Sequence, residues 1–210
     1  MEKNSNVVIL IPAYNPDKKM ISLVKELAEK FEKIMIVNDG CSEEYNEIFD
    51  AVKEQAHILV HDKNCGKGRA LKTGFEYIVK QEPDVIGVVT ADADGQHTLT
   101  DISNCVDLFL KNPQKAIFGC RDFKSDTKIP PRSRFGNRLT SRLMKFFCDI
   151  VLSDTQTGLR VFSKDSLPGL LQVKGERYEY EMNCIFHLKD EHIEWEEMPI
   201  EVIYIDNNES

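Results

Sequence analysis

Two carboxylates separated by one residue, Asp92-Ala93-Asp94, are the sharpest chemical feature of the chain. They follow directly on an apolar run, residues 85–90, that reads as a buried strand. In extended backbone, positions i and i+2 project to the same side, so Asp92 and Asp94 can face one hard cation. Mg²⁺ and Mn²⁺ prefer oxygen donors, and Mg²⁺ is commonly held by one or two carboxylates together with substrate phosphates. A turn after a strand also uses aspartates, to cap backbone amides. The Gly95-Gln96-His97 that follows weighs towards a metal site.

Two other clusters carry chemistry. Asn38-Asp39-Gly40 closes a second apolar run. Its Asp-Gly step favours a tight turn, and Asp39 within it can accept a hydrogen bond from a nucleobase or a ribose. Asn64-Cys65-Gly66-Lys67-Gly68-Arg69 opens a helix. Gly66 and Gly68 allow close backbone approach, Lys67 and Arg69 add positive charge, and a helix start tolerates anions. The spacing matches neither the Walker A loop nor the dinucleotide-binding GxGxxG, and it follows the third strand, not the first.

The elements that must position these residues follow a regular rhythm. Strands are expected at 7–12, 34–37, 57–61, 85–90 and 116–120, and helices at 20–31, 43–56, 68–80 and 101–111. Met20, Leu23, Val24, Leu27 and Phe31, like Ile102, Cys105, Val106 and Phe109, recur at helical spacing. Such alternation predicts an α/β fold, a mostly parallel central sheet with helices on both faces. Tyr14-Asn15, Asn38-Asp39-Gly40, Asp62-Lys63-Asn64 and Asp92-Ala93-Asp94 each close a strand. Ligands of open α/β sheets bind beyond the carboxyl ends of the strands, so that edge is the candidate site. After residue 120 come a loop with Pro130-Pro131, a basic helix at 134–148, a polar turn at Asp154, a strand at 159–162, a helix at 178–189 and strands at 193–198 and 201–205. This half is expected to pack on the sheet edge and complete the site.

Composition bounds the function. A chain of 210 residues can bury ~70–75% of its unfolded surface and needs no covalent staple. The net charge of −8 disfavours a general nucleic-acid binder. That sum hides a local reversal. Residues 121–145 hold eight basic and two acidic residues, or +6, leaving −14 for the remainder. A basic island in an acidic chain suggests an anionic ligand. Leu139 and Leu143 within it, with Phe146 and Phe147 just beyond, form an apolar face, expected mostly in the core. The longest apolar run, Val7 to Ile11, is far short of the ~20 residues of a membrane span. With no signal-peptide stretch at the N-terminus, a cytoplasmic protein with six reduced cysteines is expected.

Taken together, Ile11-Pro-Ala-Tyr-Asn15, Val37-Asn-Asp-Gly40, Asn64-Cys-Gly-Lys-Gly68, Thr90-Ala-Asp-Ala-Asp-Gly-Gln-His97, Arg132-Ser-Arg-Phe-Gly-Asn137 and Asp154-Thr-Gln-Thr-Gly-Leu-Arg160 resemble the family 2 glycosyltransferases over nearly the whole chain. The branch looks like the polyprenyl- and dolichyl-phosphate sugar transferases. The resemblance implies a single GT-A domain, with a nucleotide-binding half at 1–120 and an acceptor half at 121–210. It implies an inverting, Mg²⁺- or Mn²⁺-dependent transfer of a hexose from a nucleotide-diphosphate sugar to a polyprenyl phosphate, in cell-envelope glycan synthesis at the inner face of the membrane. UDP-glucose leads and GDP-mannose competes as donor. Pro12, Ala13 and Tyr14 would line the nucleotide pocket, Asp39 would meet the base or ribose, and Lys67 or Arg69 would lie near the base or phosphates. Asp92 would contact the nucleotide and share the metal with Asp94, and Gln96 would sit near the sugar. Arg121, Arg134, Asn137 and Arg160 would serve the acceptor and its phosphate. Asp154 would lie near the acceptor, as general base towards a hydroxyl, or orienting the metal, the acceptor or Arg160 if the acceptor is a phosphate. A nucleotidyltransferase acting on sugar phosphates and a non-catalytic nucleotide-sugar-binding module are the alternatives.

Overall fold

The structure, a computed structural model, describes residues 3–121 and 131–201. The apolar run after the N-terminus forms β1 (Asn4–Ala13), whose alternate side chains enter two separate cores. Val7, Ile9 and Ile11 point to one face of the sheet, Val8 and Leu10 to the other, the period of two that extended backbone imposes. Around it the chain winds α1 (Lys19–Lys30), β2 (Phe31–Asn38), α2 (Asn46–Asp50), β3 (His57–Val60), α3 (Lys67–Gln81), β4 (Gly87–Thr90), α4 (Leu99–Lys111) and β5 (Ala116–Arg121). α5 (Pro131–Cys148), β6 (Arg160–Ser163), α6 (Leu167–Gln172), α7 (Glu179–Asp190) and β7 (Trp195–Ile200) follow.

The seven strands form one sheet in the order β3-β2-β1-β4-β6-β5-β7. All neighbours are parallel except β6, which runs antiparallel to both β4 and β5. β6 thus splits the sheet and lets the second half of the chain reach the carboxyl end of β4. Buried residues of α1, α2 and α4 share the core of Ile9, and those of α3, α6 and α7 share the core of Leu10. The α/β fold with a mostly parallel sheet and helices on both faces is the one expected.

Several elements differ from the sequence reading. The helix expected at 43–56 is a 3-10 turn, Glu43–Tyr45, plus the five-residue α2. A longer helix would stack the like charges of Glu43 on Glu47 and of Asp50 on Glu54, four residues apart. α6 is an element absent from the sequence reading; Pro168 sits in its first turn, where a missing N–H is harmless. The second of the two final strands expected, 201–205, lies outside the described residues beyond Glu201, which is not in a strand. The α5 face is also corrected. Leu139 and Leu143 are 47% exposed, Phe146 80% and Phe147 74%, while Met144 enters the core and Cys148 packs against it. All six cysteines are free thiols.

Leu10 is fully buried in the middle of β1 and packs directly above Gly74 of α3. Leu10→Ala should cost ~2–5 kcal/mol of unfolding free energy, the range for buried leucines, measured by urea denaturation.

Candidate active site

The strand ends are bonded to one another, which fixes the loops beyond them. The Asp39 N–H donates to the Ala13 carbonyl at 2.9 Å, His61 N–H to Asn38 at 2.9 Å and Ala91 N–H to Leu10 at 3.0 Å. Above these ends opens a cavity of about 540 Å³. Pro12, Ala13, Tyr14, Asp39, Asn64, Lys67, Asp92 and Asp94 line it. Three of the four polar clusters therefore meet there, joined by Asn64 of the fourth.

Asp39 is 2% exposed, and its carboxylate is already crowded with donors. Oδ1 accepts the Cys65 N–H at 2.9 Å and His61 Nδ1–H at 2.7 Å, and Oδ2 accepts the Gly66 N–H at 2.8 Å. His61 Nε2 lies 2.9 Å from the Thr73 hydroxyl. Asp39 thus holds the loop that leads into α3. Gly66 adopts φ +101° within that loop, and a Cβ would strike the Glu176 backbone, so no other residue fits. Asp39, His61 and Cys65 are the one group among the described residues whose donor atoms lie close enough to share a metal ion. The 2.7 Å Asp39–His61 hydrogen bond accounts for that closeness.

Asp92 leaves the end of β4 into a nest of charge. Lys67 Nζ, at the start of α3, lies 2.7 Å from Asp92 Oδ1 and 2.8 Å from Glu181 Oε2 on α7. Burial by itself would lower the Lys67 pKa, but the two carboxylates outweigh it and the net shift is upward. Burial likewise pushes Asp92 up, and Lys67 with His97 pulls it well below the carboxylate range. Gly158 packs against this carboxylate so closely that any Cβ would overlap it. Thr90 Oγ1–H, bonded to the Gly158 carbonyl at 2.8 Å, fixes the two segments together. Asp94 is more open. Its Oδ1 accepts the Gln96 N–H at 2.9 Å, and burial, with the charge of Asp92, raises its pKa.

Beyond Asp92 lies a second, smaller cavity of about 90 Å³, lined by Asp92, Gln96, His97, Arg121, Gln156 and Thr157 among others. Asp154, fully buried behind it, grips Arg121 with both oxygens, Nε–Oδ2 at 2.6 Å and Nη2–Oδ1 at 3.0 Å. The Gln156 N–H also donates to Oδ1 at 3.1 Å and the Arg121 N–H to Oδ2 at 3.3 Å. These four bonds occupy the acceptor positions of the carboxylate. Asp154 therefore orients Arg121, and not Arg160. Asn137 is buried, bonding the Ser153 carbonyl at 2.7 Å and the Thr155 N–H at 3.2 Å, and so shapes the 153–155 turn. The side chain of Arg134 lies outside the described part of α5.

Two arginines expected at phosphates are engaged elsewhere. Arg69 makes a bidentate pair with Glu176, 2.6 and 2.8 Å, outside the large cavity. Arg160 is buried, donating to the Thr157 carbonyl at 3.0 Å and the Glu181 carbonyl at 2.5 Å over the Phe118 ring. Conversely Arg177, Tyr178 and Glu181 entered no sequence reading. Arg177 and Tyr178 line the large cavity and Glu181 pairs with Lys67. The sequence signal was only a helix start near 178.

Asp92 thus lines both cavities at the carboxyl end of the sheet. Residues 8–171 match the family described as Glycosyl transferase family 2, and the chain belongs to that family. It is 31% identical over 202 residues to an uncharacterized protein of Methanocaldococcus jannaschii, covering 94% of this chain and 82% of that one. It is 27% identical over 217 residues to the UDP-N-acetylglucosamine–dolichyl-phosphate N-acetylglucosaminyltransferase of Methanococcus voltae, 94% and 86% covered. Glucosyl-3-phosphoglycerate synthase of Mycobacterium tuberculosis in complex with UDP shares the fold, with TM-score 0.70 at 12% identity over 97% of this chain and 74% of that one. The same protein is also solved with Mn²⁺, UDP and glucosyl-3-phosphoglycerate. Family membership makes the chain a glycosyltransferase related to dolichyl-phosphate sugar transferases, and sets aside the nucleotidyltransferase reading.

Gly158→Ala should displace the Asp92 carboxylate while leaving the fold intact. Sub-ångström to ångström misplacement at a reacting centre costs roughly 100-fold, so kcat for sugar transfer should fall by about that factor with circular dichroism unchanged.

Proposed function

We propose that the chain transfers a hexosyl group with inversion from a UDP-sugar, UDP-glucose first, to a polyprenyl phosphate at a membrane surface. The observation that carries the reading is the position of Asp92, shared by a cavity sized for a nucleotide sugar and a smaller one walled by Arg121 and Gln96. In the reaction the acceptor phosphate oxygen bonds to the anomeric carbon as the bond from that carbon to the UDP diphosphate breaks. A phosphomonoester has its second pKa near ~6 and is mostly dianionic at neutral pH. It needs no base, which agrees with Asp154 being filled by Arg121.

Asp39 supports uracil over guanine. A carboxylate offers about four acceptor positions, and three are taken, two of them on Oδ1. The position left on Oδ2 suits the single N–H of uracil. The guanine edge presents two parallel N–H groups that ask for both oxygens, so GDP-mannose is the weaker candidate.

Asp94 fits a divalent cation. It offers a hard oxygen donor at the cavity, and the raised pKa set by burial and Asp92 means that an added positive charge would relieve it. Asp92 would share the ion through the oxygen not held by Lys67. Mg²⁺ or Mn²⁺ would supply Lewis-acid stabilisation of the departing diphosphate. Lys67, paired with Asp92 and Glu181, positions Asp92 at the cavity wall.

The exposed face of α5 supports the membrane surface. Leu139, Leu143, Phe146 and Phe147, with Val151 just beyond the helix, form an apolar patch beside the exposed Arg142 and Lys145. Basic residues contribute ~1 kcal/mol each near an anionic bilayer. Among the described residues no helix is long and apolar enough to cross a membrane.

Calorimetry with Mn²⁺ should show UDP binding at least tenfold more tightly than GDP; the reverse order would assign a guanine donor. Excess EDTA, or Asp94→Asn, should remove most turnover, and full activity in EDTA would refute the metal. Phe146→Ser with Phe147→Ser should cut binding to anionic vesicles about tenfold in a flotation assay.

A further inference from the structure

The turn before α7 is firmly fastened, yet its two projecting side chains are not. Glu176 is held by Arg69 at 2.6 and 2.8 Å and by Lys72 at 3.0 Å, and its carbonyl accepts the Arg69 N–H at 2.9 Å. Glu179 Oε1 accepts the N–H groups of Glu176 and Arg177 at 3.1 and 3.3 Å. Two glycines at the start of α3 make room for the turn. A Cβ on Gly68 would meet the Glu176 carbonyl carbon at 2.8 Å, and one on Gly66 would meet Arg177 Cγ at 2.7 Å. Arg177 and Tyr178 are nevertheless exposed, Tyr178 to 79%, and both line the large cavity. Among the described residues no ion pair ties down the Arg177 guanidinium.

The same contacts place Arg177 close to Asp39. The Asp39 N–H bonds the Ala13 carbonyl at 2.9 Å, next to Tyr14, which is 54% exposed in the same cavity. Asp39 Oδ2 accepts the Gly66 N–H at 2.8 Å, and the stem of Arg177 lies on Gly66. Asp39 thus joins the segment that carries Tyr14 to the loop on which Arg177 lies. A guanidinium is planar and weakly hydrated and stacks on flat rings, and nucleobases are held on arginine planes as they are on aromatic side chains.

We propose that Arg177 is a specificity residue for the donor, its guanidinium lying flat on the nucleobase that Asp39 reads and, with Tyr178 beside it, closing the base into the cavity that Tyr14 also lines. The assignment rests on the nucleotide-sugar reading and deepens it. It makes the turn before α7, from the second half of the chain, a wall of the nucleoside subsite. It also gives the two glycines a role in seating that wall.

The test separates stacking from charge. Calorimetry with Mn²⁺ follows UDP, and saturation-transfer NMR follows uridine, on the full chain and on three variants whose fold is checked by circular dichroism. Arg177→Ala should weaken UDP and uridine alike, by about tenfold, within the range for a cation stacked on a ring. Arg177→Phe, which keeps a flat face, should recover most of that loss, and Arg177→Lys, which keeps only the charge, should not. Unchanged UDP affinity in Arg177→Ala overturns the proposal. So does a loss confined to UDP with uridine unaffected, or recovery by Lys and not by Phe, either of which would make Arg177 a diphosphate ligand. The same titrations with GDP and guanosine keep the two readings apart. If the wild-type chain binds only the guanine ligands and Arg177→Ala weakens both, the uracil donor falls and the stacking role stands. If the wild-type chain binds no nucleotide, both fall.

Discussion

The ion pair between Lys67 and Asp92, closed by Glu181, joins elements that the chain keeps far apart in sequence: the first turn of α3, the loop after β4 and the first turn of α7. Three partly buried charges cannot be separated cheaply. Breaking one side of a buried pair leaves an uncompensated charge, even though the intact pair adds little net stability over apolar packing. What the arrangement gives is position. Asp92 can occupy the wall between two cavities only because Lys67 holds one oxygen, Gly158 leaves room for the carboxylate and Thr90 ties Gly158 to the strand end.

The same logic explains why the second half of the chain is needed for a site that begins in the first. Glu176 is clamped to α3 by Arg69 and by the buried Lys72, whose ammonium also bonds the Gly175 carbonyl at 2.9 Å and lies over the Tyr180 ring. That clamp delivers Arg177 and Tyr178 to the rim of the large cavity. Arg160 fastens β6 to the Glu181 carbonyl and so sets where α7 begins. The antiparallel insertion of β6 between β4 and β5 makes these contacts reachable.

What could be read beforehand was local. The continuous apolar run of β1 and the helical stripes of α1 and α4 are local patterns, and the convergence of strand ends follows from the parallel winding, so the sheet, its two faces and the neighbourhood of Tyr14, Asp39, Lys67, Asp92 and Asp94 were legible. The roles of Arg69 and Arg160 were not. Their partners stand 107 and 21 residues away, and nothing in a charged residue's own neighbourhood says whether it will meet a substrate or another part of the chain. The pairing of Asp154 with Arg121, 33 residues apart, was hidden for the same reason. The apolar face of α5 was legible as a pattern and misleading as a location, because periodicity marks a face without naming what covers it.

Compared with one another, the four aspartates of the site separate by how their charge is met. Asp39 meets two backbone N–H groups and a histidine, Asp92 an ammonium on one oxygen, and Asp154 a guanidinium and two backbone N–H groups. Each of the three secures a loop. Asp94 accepts one N–H, from Gln96, and burial together with the charge of Asp92 holds its carboxylate above its ordinary pKa. An acidic chain that neutralises its other site carboxylates internally and leaves this one unmet, at the edge of a cavity sized for a nucleotide sugar, creates a local demand for positive charge.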